Sequence, residues 1–490
     1  MALRPKVNRL HGKRSVKAVV RFLLCRFANQ PFEPTAETEG LCERERFLLC
    51  IENNGLYLQF LSEEGRITGF SLMLVEFSVQ NHRSFRDKQS FLMTASNSGT
   101  PNAVATGNNG APYVLQQACL FGANGSGKSG LVRSMKTVHS LVRDSFKNES
   151  SLIDEYEPHL FHSKWRNAPT EFEVTFLHDD SLFQYGFAYD AERIWEEWLF
   201  ERPSATRKQR QIFTREYDPE SDAYEWETST THLKGERQSW KAQTRDNALF
   251  LSTAMQLNAE PLKRPFEWLS RGLRTILDVE SIGPHTASRL DEDDWKDRVM
   301  AFLADADLRL EDVEAKERSI LETTNFKSLP KKQQKQLKSI LPEGAKTLEV
   351  HTYRKDETGA KARLDFGDES TGTRALFELI GPIMDSLDNG YTLVVDELNT
   401  HLHPLAFRYI SRLFCSPKSN PDNAQIIFTT HDPTVTEEDC IGRDQIWLVE
   451  KGDDLASRLV PFSDYRTRDE RPFRRGYLQG RFGAVPRVAG

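Results

Sequence analysis

The stretch Gly122-Ala123-Asn124-Gly125-Ser126-Gly127-Lys128-Ser129 constrains this chain more than any other. It follows an apolar run, Ala118-Cys119-Leu120-Phe121. It opens a segment in which Leu131, Val132, Met135, Val138, Leu141 and Val142 recur at helical spacing. Strand, glycine-rich turn and amphipathic helix, in that order, make a phosphate-binding loop. The glycines let backbone N–H groups wrap an anion, and the helix start adds its positive dipole end. In such a loop Gly122, Ala123, Asn124, Gly125, Ser126 and Gly127 form the wrap. Lys128 reaches the β- and γ-phosphates, and the Ser129 hydroxyl meets Mg²⁺. The expected ligand is ATP with Mg²⁺.

A second apolar strand, Thr392-Leu393-Val394-Val395, ends in Asp396-Glu397. Downstream of a phosphate loop, this is the expected Walker B strand, and Asp396 would hold the Mg²⁺ shell. Glu397, one residue on, is placed to orient or deprotonate an attacking water. A third buried strand, Gln425 to Thr429, runs into Thr430-His431-Asp432. His431 at that strand end can donate a hydrogen bond to a γ-phosphate. Glu369-Ser370-Thr371-Gly372-Thr373 precedes an amphipathic helix expected over 373–387. Ser370 offers a hydroxyl and Gly372 an unobstructed N–H, which makes a second anion site. The same residues also fit a plain helix cap.

The length suggests two or three structural units. A net charge of −7 gives no global pull towards nucleic acid or membrane. The six cysteines form no CxxC pair and no metal-ligand spacing, which fits a reducing cytosol and a cytoplasmic location. No apolar run approaches the roughly 20 residues that span a bilayer.

Residues 1–72 read as a poorly ordered, Arg-rich extension, and the fold is expected to begin at Met73. Residues 73–205 form an N-terminal lobe with the phosphate loop. Within it, Pro101 to Pro112 reads as a mobile surface loop. Glu171–Leu177 and Leu182–Phe187 read as a hairpin. Residues 206–345 read as a charged helical insert, with buried helix faces near Asn247–Leu251 and Phe266–Leu277. Two basic runs, Arg202–Arg215 and Asn325–Ile340, carry no acid. Each is either a solvated face or a nucleic-acid or partner surface. Residues 346–463 form a C-terminal lobe, and 464–490 a tail.

The order of these motifs resembles the ABC-type ATPase heads, including RecF-like and SMC-like proteins. Closer still are bacterial overcoming-lysogenisation-type and abortive-infection ATPases of the RloA, AbiL and PARIS AriA kind. The strings Asp396-Glu397-Leu398-Asn399-Thr400-His401-Leu402-His403-Pro404 and Thr429-Thr430-His431-Asp432-Pro433 look like theirs. So does the tail from Arg475 to Pro486. The resemblance covers Met73 to the C-terminus, with gaps in the insert. It implies an α/β fold: an ABC-type P-loop NTPase head with a mixed, mostly parallel sheet, plus a helical insert. It also implies a homodimer or higher homo-oligomer, in which Ser370 and Gly372 of one copy close on the nucleotide of the other. Arg83, in Asn81-His82-Arg83-Ser84-Phe85, matches the place where related heads meet the base. The chain departs from transporter signatures, which read Leu-Ser-Gly-Gly-Gln. No Mg²⁺-binding glutamine is evident between Leu152 and Thr170. His403 stands where an aspartate is usual.

The expected function is a nucleotide-driven dimerisation switch or scaffold in antiphage defence. The stretch after His431 is short for a fused nuclease domain, so the effector is expected to be a separate TOPRIM-like or HNH nuclease. One alternative is a RecF- or SMC-like DNA repair ATPase that clamps duplex DNA through the basic runs. Another is a nucleotide-bound scaffold with negligible turnover.

Overall fold

A computed structural model describes residues 72–465, apart from 98, 149, 323–325, 328 and 341–344, together with 473–485. It also describes the backbone of 47–52 and 55–60. The chain divides into two compact units. One gathers Met1–Gly65 with Lys316–Glu349, and the other Arg66–Ala315 with Val350–Gly490. In the first, β1 (Phe47–Glu52) and β2 (Gly55–Phe60) pair as an antiparallel hairpin. The rest of the extension expected over 1–72 lies outside the described residues.

The second unit is mixed α/β and holds two large sheets. The first is a seven-stranded antiparallel sheet. Its strands are β3 (Leu72–Gln80), β4 (Gln89–Leu92), β8 (Thr170–His178), β9 (Ser181–Tyr189), β10 (Ile194–Pro203), β11 (Arg210–Asp218) and β12 (Ala223–Thr228). They run in the order β12-β11-β10-β9-β8-β3-β4. Asp179 takes a left-handed φ of 58° at the turn between β8 and β9, completing the expected hairpin. On β8, Phe172, Val174 and Phe176 alternate into the core, where Phe176 stacks on Trp268 at 4.2 Å.

The second sheet carries the phosphate loop. It contains β7 (Gln117–Phe121), β13 (Leu273–Ile276), β17 (Thr392–Val395), β18 (Gln425–Thr429), β19 (Ile446–Lys451) and β20 (Ser457–Pro461). The order is β13-β17-β18-β7-β19-β20. Every pairing but β19–β20 is parallel. Its central strands are buried throughout, which is why they read as unbroken apolar runs. Further strands lie outside these two sheets. β5 (Ala103–Ala105) pairs with β6 (Tyr113–Leu115), β14 is Asp312–Ser319, and β15 (Lys346–Lys355) pairs with β16 (Lys361–Asp365). Three helices matter for the site: α1 (Lys128–Asp144), α2 (Thr371–Asn389) and α3 (Pro404–Cys415). Another, α4 (Phe473–Leu478), is short.

Three expectations need correction. Residues 206–345 contain helices, but β11 and β12 in the same stretch extend the antiparallel sheet and β13 edges the parallel one. Polar strands with few apolar residues carry little β signal, and tertiary pairing overrides it. Phe266–Leu277 is not one helix: it ends in a π-turn over Trp268–Gly272 and then enters β13. Pro101–Pro112 lies at the surface, with Ala105, Gly107, Asn109, Gly110 and Pro112 exposed, but it is not all loop: Ala103–Ala105 form β5, and Ala111 is buried. Asn108 is buried, and its amide meets Ser204 Oγ at 3.1 Å and Gly110 N at 2.9 Å.

Candidate nucleotide site

β7, wholly buried, delivers Gly122 to the carboxyl edge of the parallel sheet. Gly125 and Gly127 hold φ of 74° and 117°, values that L side chains resist. A Cβ on Gly127 would also meet Ser457 Oγ, and would lie 2.8 Å from Ser84 Oγ. α1 starts with no side-chain cap and no acid in its first turn, so its leading N–H groups keep their capacity for an anion. Ser126 Oγ is buried without a partner inside the loop. Lys128 folds back over it, its Nζ donating to Gly122 O at 2.9 Å and Ala123 O at 3.3 Å. An anion cradle, a buried hydroxyl and a converging ammonium fit a triphosphate.

The other side chains arrive because β17, β18 and β7 are neighbours with parallel ends. Val395 pairs with Phe428, and Thr429 with Leu120. The crevice beyond such strand ends is where open α/β sheets bind ligands. Asp396 is buried, and its Oδ1 accepts a hydrogen bond from Thr429 Oγ1 at 2.6 Å. The same Oγ1 accepts from the backbone N–H of Glu397 at 2.7 Å. Thr429 thus fixes both acids. Glu397 sits in a left-handed turn at φ 50°, its carboxylate aimed outward, half-exposed. Thr400 Oγ1 donates to it at 3.3 Å, and His431 Nε2 lies 4.0 Å from its Oε1.

Electrostatics ties the cluster together. Burial pulls the Lys128 ammonium below its usual pKa, against Glu397 and Asp396, which support the charge. Burial, then Lys128, lowers His431 below the ordinary imidazole value, opposed by Glu397 and Asp396. Four side chains from three sequence-distant strings feel one another's charge.

The remaining residues sit as follows. Ser370 is the N-cap of α2, its Oγ accepting from Thr373 N at 3.1 Å. A Cβ on Gly372 would stand 2.8 Å from His401 O, so the start of α2 packs on the turn after Glu397. Among the described residues, no hydrogen bond or ion pair joins Ser370 or Gly372 to the phosphate loop. Arg83 takes φ 54° and grips both carboxylate oxygens of Glu157, at 2.8 and 2.6 Å. Its neighbours buttress the loop: Ser84 O accepts from Ser457 N at 2.7 Å, and the Phe85 ring faces Gly130. His403 caps α3, its Nδ1 accepting from Leu405 N.

Sequence reasoning missed four supporting residues. Thr429 lay inside a quoted string without an assigned role. Ser84 and Ser457 carry no motif. Tyr477, on α4, sets its ring 5.4 Å from that of Phe121, the residue that leads into the loop. The tail therefore packs behind the loop.

A glycine loop entering a helix, with an acidic strand and a histidine strand beside it on a parallel sheet, defines the mixed α/β fold of the P-loop ATPases. Residues 118–437 match the family described as "AAA domain, putative AbiEii toxin, Type IV TA system", and the chain belongs to that family. No curated protein matches the chain. Among solved structures, the SMC head domain from Thermotoga maritima is similar at 12% identity and TM-score 0.35, covering 79% of this chain and 98% of that one. The Smc head domain with an extended coiled coil from Pyrococcus furiosus, bound to the C-terminal domain of ScpA, is similar at 13% identity and TM-score 0.35. That pairing covers 80% of this chain and 96% of the other. Among the described residues, no helix is long and apolar enough to cross a membrane.

Proposed function

We propose that this chain binds and hydrolyses ATP, and that the nucleotide closes two copies on each other. The observation that supports this is the meeting of Lys128, Asp396, Glu397 and His431 at the ends of β7, β17 and β18. Gly122 to Ser129 would hold the phosphates. Ser129 and Asp396 would hold magnesium, which when bound offsets phosphate charge. Glu397, exposed and beside His431, accepts the proton of the attacking water. His431, kept largely neutral by burial and Lys128, donates from its ring N–H towards the terminal phosphate. Arg83, released from Glu157, would meet the base. Ser370 and Gly372 would act across the dimer, where the N-terminus of α2 adds positive potential.

The switch follows from differential contact: the terminal phosphate gives Lys128, His431 and the partner copy's α2 something to hold, and its loss removes it. Membership of a family described by a toxin–antitoxin system, together with the motif strings, supports a role in antiphage defence of the abortive-infection kind. A separate nuclease, TOPRIM-like or HNH, would be the effector, in the cytoplasm. The DNA-clamp reading loses part of its footprint. In Arg202–Arg215, Arg215 is buried and Arg210 is paired with Glu201 at 2.7 Å.

The test is nucleotide binding, turnover and mass in solution on the full chain. Wild type should hydrolyse ATP. Glu397→Gln should bind ATP, turn over at least roughly 100-fold more slowly and accumulate as a dimer. Lys128→Ala should bind poorly and stay monomeric. Equal, negligible turnover in wild type and Glu397→Gln would remove the enzyme and leave the scaffold reading. Failure of wild type to bind ATP would remove both.

A further inference from the structure

Two of the described thiols meet around one side chain. Cys415 closes α3, and Cys440 lies in the loop that follows the 3₁₀ turn Pro433–Glu437. Between them stands Gln117, the buried first residue of β7. Its Nε2 is 2.7 Å from Cys415 Sγ, 3.4 Å from Cys440 Sγ and 3.3 Å from Cys440 O. Its Oε1 accepts from Ser411 Oγ at 2.8 Å, which fixes the amide so that its N–H face turns to the sulfurs. The Cys415 thiol donates to Ser411 O at 3.2 Å. Both cysteines are partly exposed, whereas Cys119 is buried, its Sγ 3.5 Å from Gln445 O. The pair lies at the opposite end of β7 from the phosphate loop, about 13 Å along a strand of this length.

The two sulfurs are unequal. The neighbouring Cys415, and after it the Gln117 amide, outweigh burial and draw the Cys440 thiol down to about 7. Cys415 is pushed up by its neighbour Cys440 and by burial. One sulfur is a ready nucleophile and the other a protonated neighbour on the same Gln117 amide, the arrangement of an attacking and a resolving cysteine.

We infer that Cys415 and Cys440 form an oxidant-sensitive dithiol that closes to a disulfide on meeting a hydroperoxide. The Cys440 thiolate attacks one peroxide oxygen. An S–O bond forms, the O–O bond breaks, and hydroxide leaves to take up a proton. The Cys415 sulfur then attacks the Cys440 sulfur. The S–S bond forms, the S–O bond breaks, and the hydroxyl leaves as water with the Cys415 proton. Two thiols lose two electrons and hydrogen peroxide becomes two waters. The bond would tie the end of α3, the helix that follows the acidic strand, to the segment that follows His431. The inference rests on the thiol geometry and is independent of the nucleotide reading.

The test uses the full reduced chain, hydrogen peroxide, N-ethylmaleimide quenching and tryptic peptide mass. Cleavage after Lys418 separates the two cysteines into peptides 413–418 and 419–443. The expected product is these peptides joined, two hydrogens lighter, released by dithiothreitol, with Cys119 still alkylated. It should form roughly tenfold or more faster in the folded chain than in urea, because the fold holds the sulfurs together. Cys415→Ser should leave a sulfenic acid on Cys440 that dimedone captures, and Cys440→Ser should leave Cys415 unoxidised. Three results would each overturn the inference: both thiols alkylated after peroxide, linkage at equal rates in urea, or linkage instead to Cys25, Cys42, Cys50 or Cys119.

Discussion

Replacing Thr429 with valine removes one hydroxyl from a place where it serves two partners at once. Its Oγ1 donates to Asp396 Oδ1 at 2.6 Å and accepts from Glu397 N at 2.7 Å. Valine keeps the shape and the β preference, so backbone disruption is small. A hydrogen bond to a carboxylate contributes about 1.5–3 kcal/mol, and one to a backbone amide about 1 kcal/mol. The loss should therefore be about 3 kcal/mol, visible as a lower denaturant midpoint for the folded unit. The second effect is on metal. A residue that orients a ligating carboxylate typically changes metal affinity by about 10–100-fold. The Mg²⁺ concentration for half-maximal ATP turnover should rise by about that factor, with the ATP concentration dependence at saturating Mg²⁺ less affected. Thr429→Ser, which restores the hydroxyl, should recover both. A Thr429→Val protein with wild-type midpoint and wild-type Mg²⁺ requirement would refute the assignment of Thr429 as the residue that sets both acids.

His82 is buried with both ring nitrogens unpartnered, and burial, then Arg83 and Arg133, lowers its pKa to about 3. The unfolded chain takes up a proton near 6.5 and the folded chain does not, so stability falls as pH drops from about 6.5 towards 3, by up to about 1.4 kcal/mol per pH unit. His82→Phe should flatten that component of a urea-midpoint-against-pH series, and an unchanged slope would count against it. Tyr477→Ala removes the ring packed 5.4 Å from Phe121, the residue that leads into the loop, so ATP affinity should fall several-fold by isothermal titration, while Tyr477→Phe, which keeps the ring, should bind as wild type. Gly372→Ala puts a Cβ 2.8 Å from His401 O. It should reduce ATP-dependent dimerisation, measured by light scattering, more than ATP binding to the monomer, and equal losses in both would argue against a role for α2 across the dimer.

The phosphate loop, the acidic strand and the Thr-His string were legible because each is a contiguous string whose flanks announce a strand or helix. Their neighbourhood in space was implied by a parallel sheet and then realised in the order β17-β18-β7. β11 was hidden by its charge. Its sequence Arg210-Gln211-Ile212-Phe213-Thr214-Arg215 reads as a basic solvated run, yet Arg215 is buried against Glu197 and the rings of Tyr224 and Trp226. A buried arginine is indistinguishable from a surface one until its partners are known. β13 was hidden by brevity, four residues inside an apolar stretch that also suits a helix. The loop's supports were illegible for another reason. Ser457 Oγ donates to Ser126 O across more than three hundred residues, and no local pattern encodes so distant a contact.

That distance has a consequence for how the protein is made. β7 is flanked by β18 and β19, both translated long after it. While the ribosome is still copying the middle of the message, Gly122–Ser129 is already outside the exit tunnel, but the strands on either side of it do not yet exist. A half-made chain carries every residue of the loop and neither of the strands that flank β7. Capacity to capture nucleotide therefore arrives late and all at once, when the final strands dock. Premature termination upstream of β18 would yield a product with an intact motif but without His431 and the strands that flank β7.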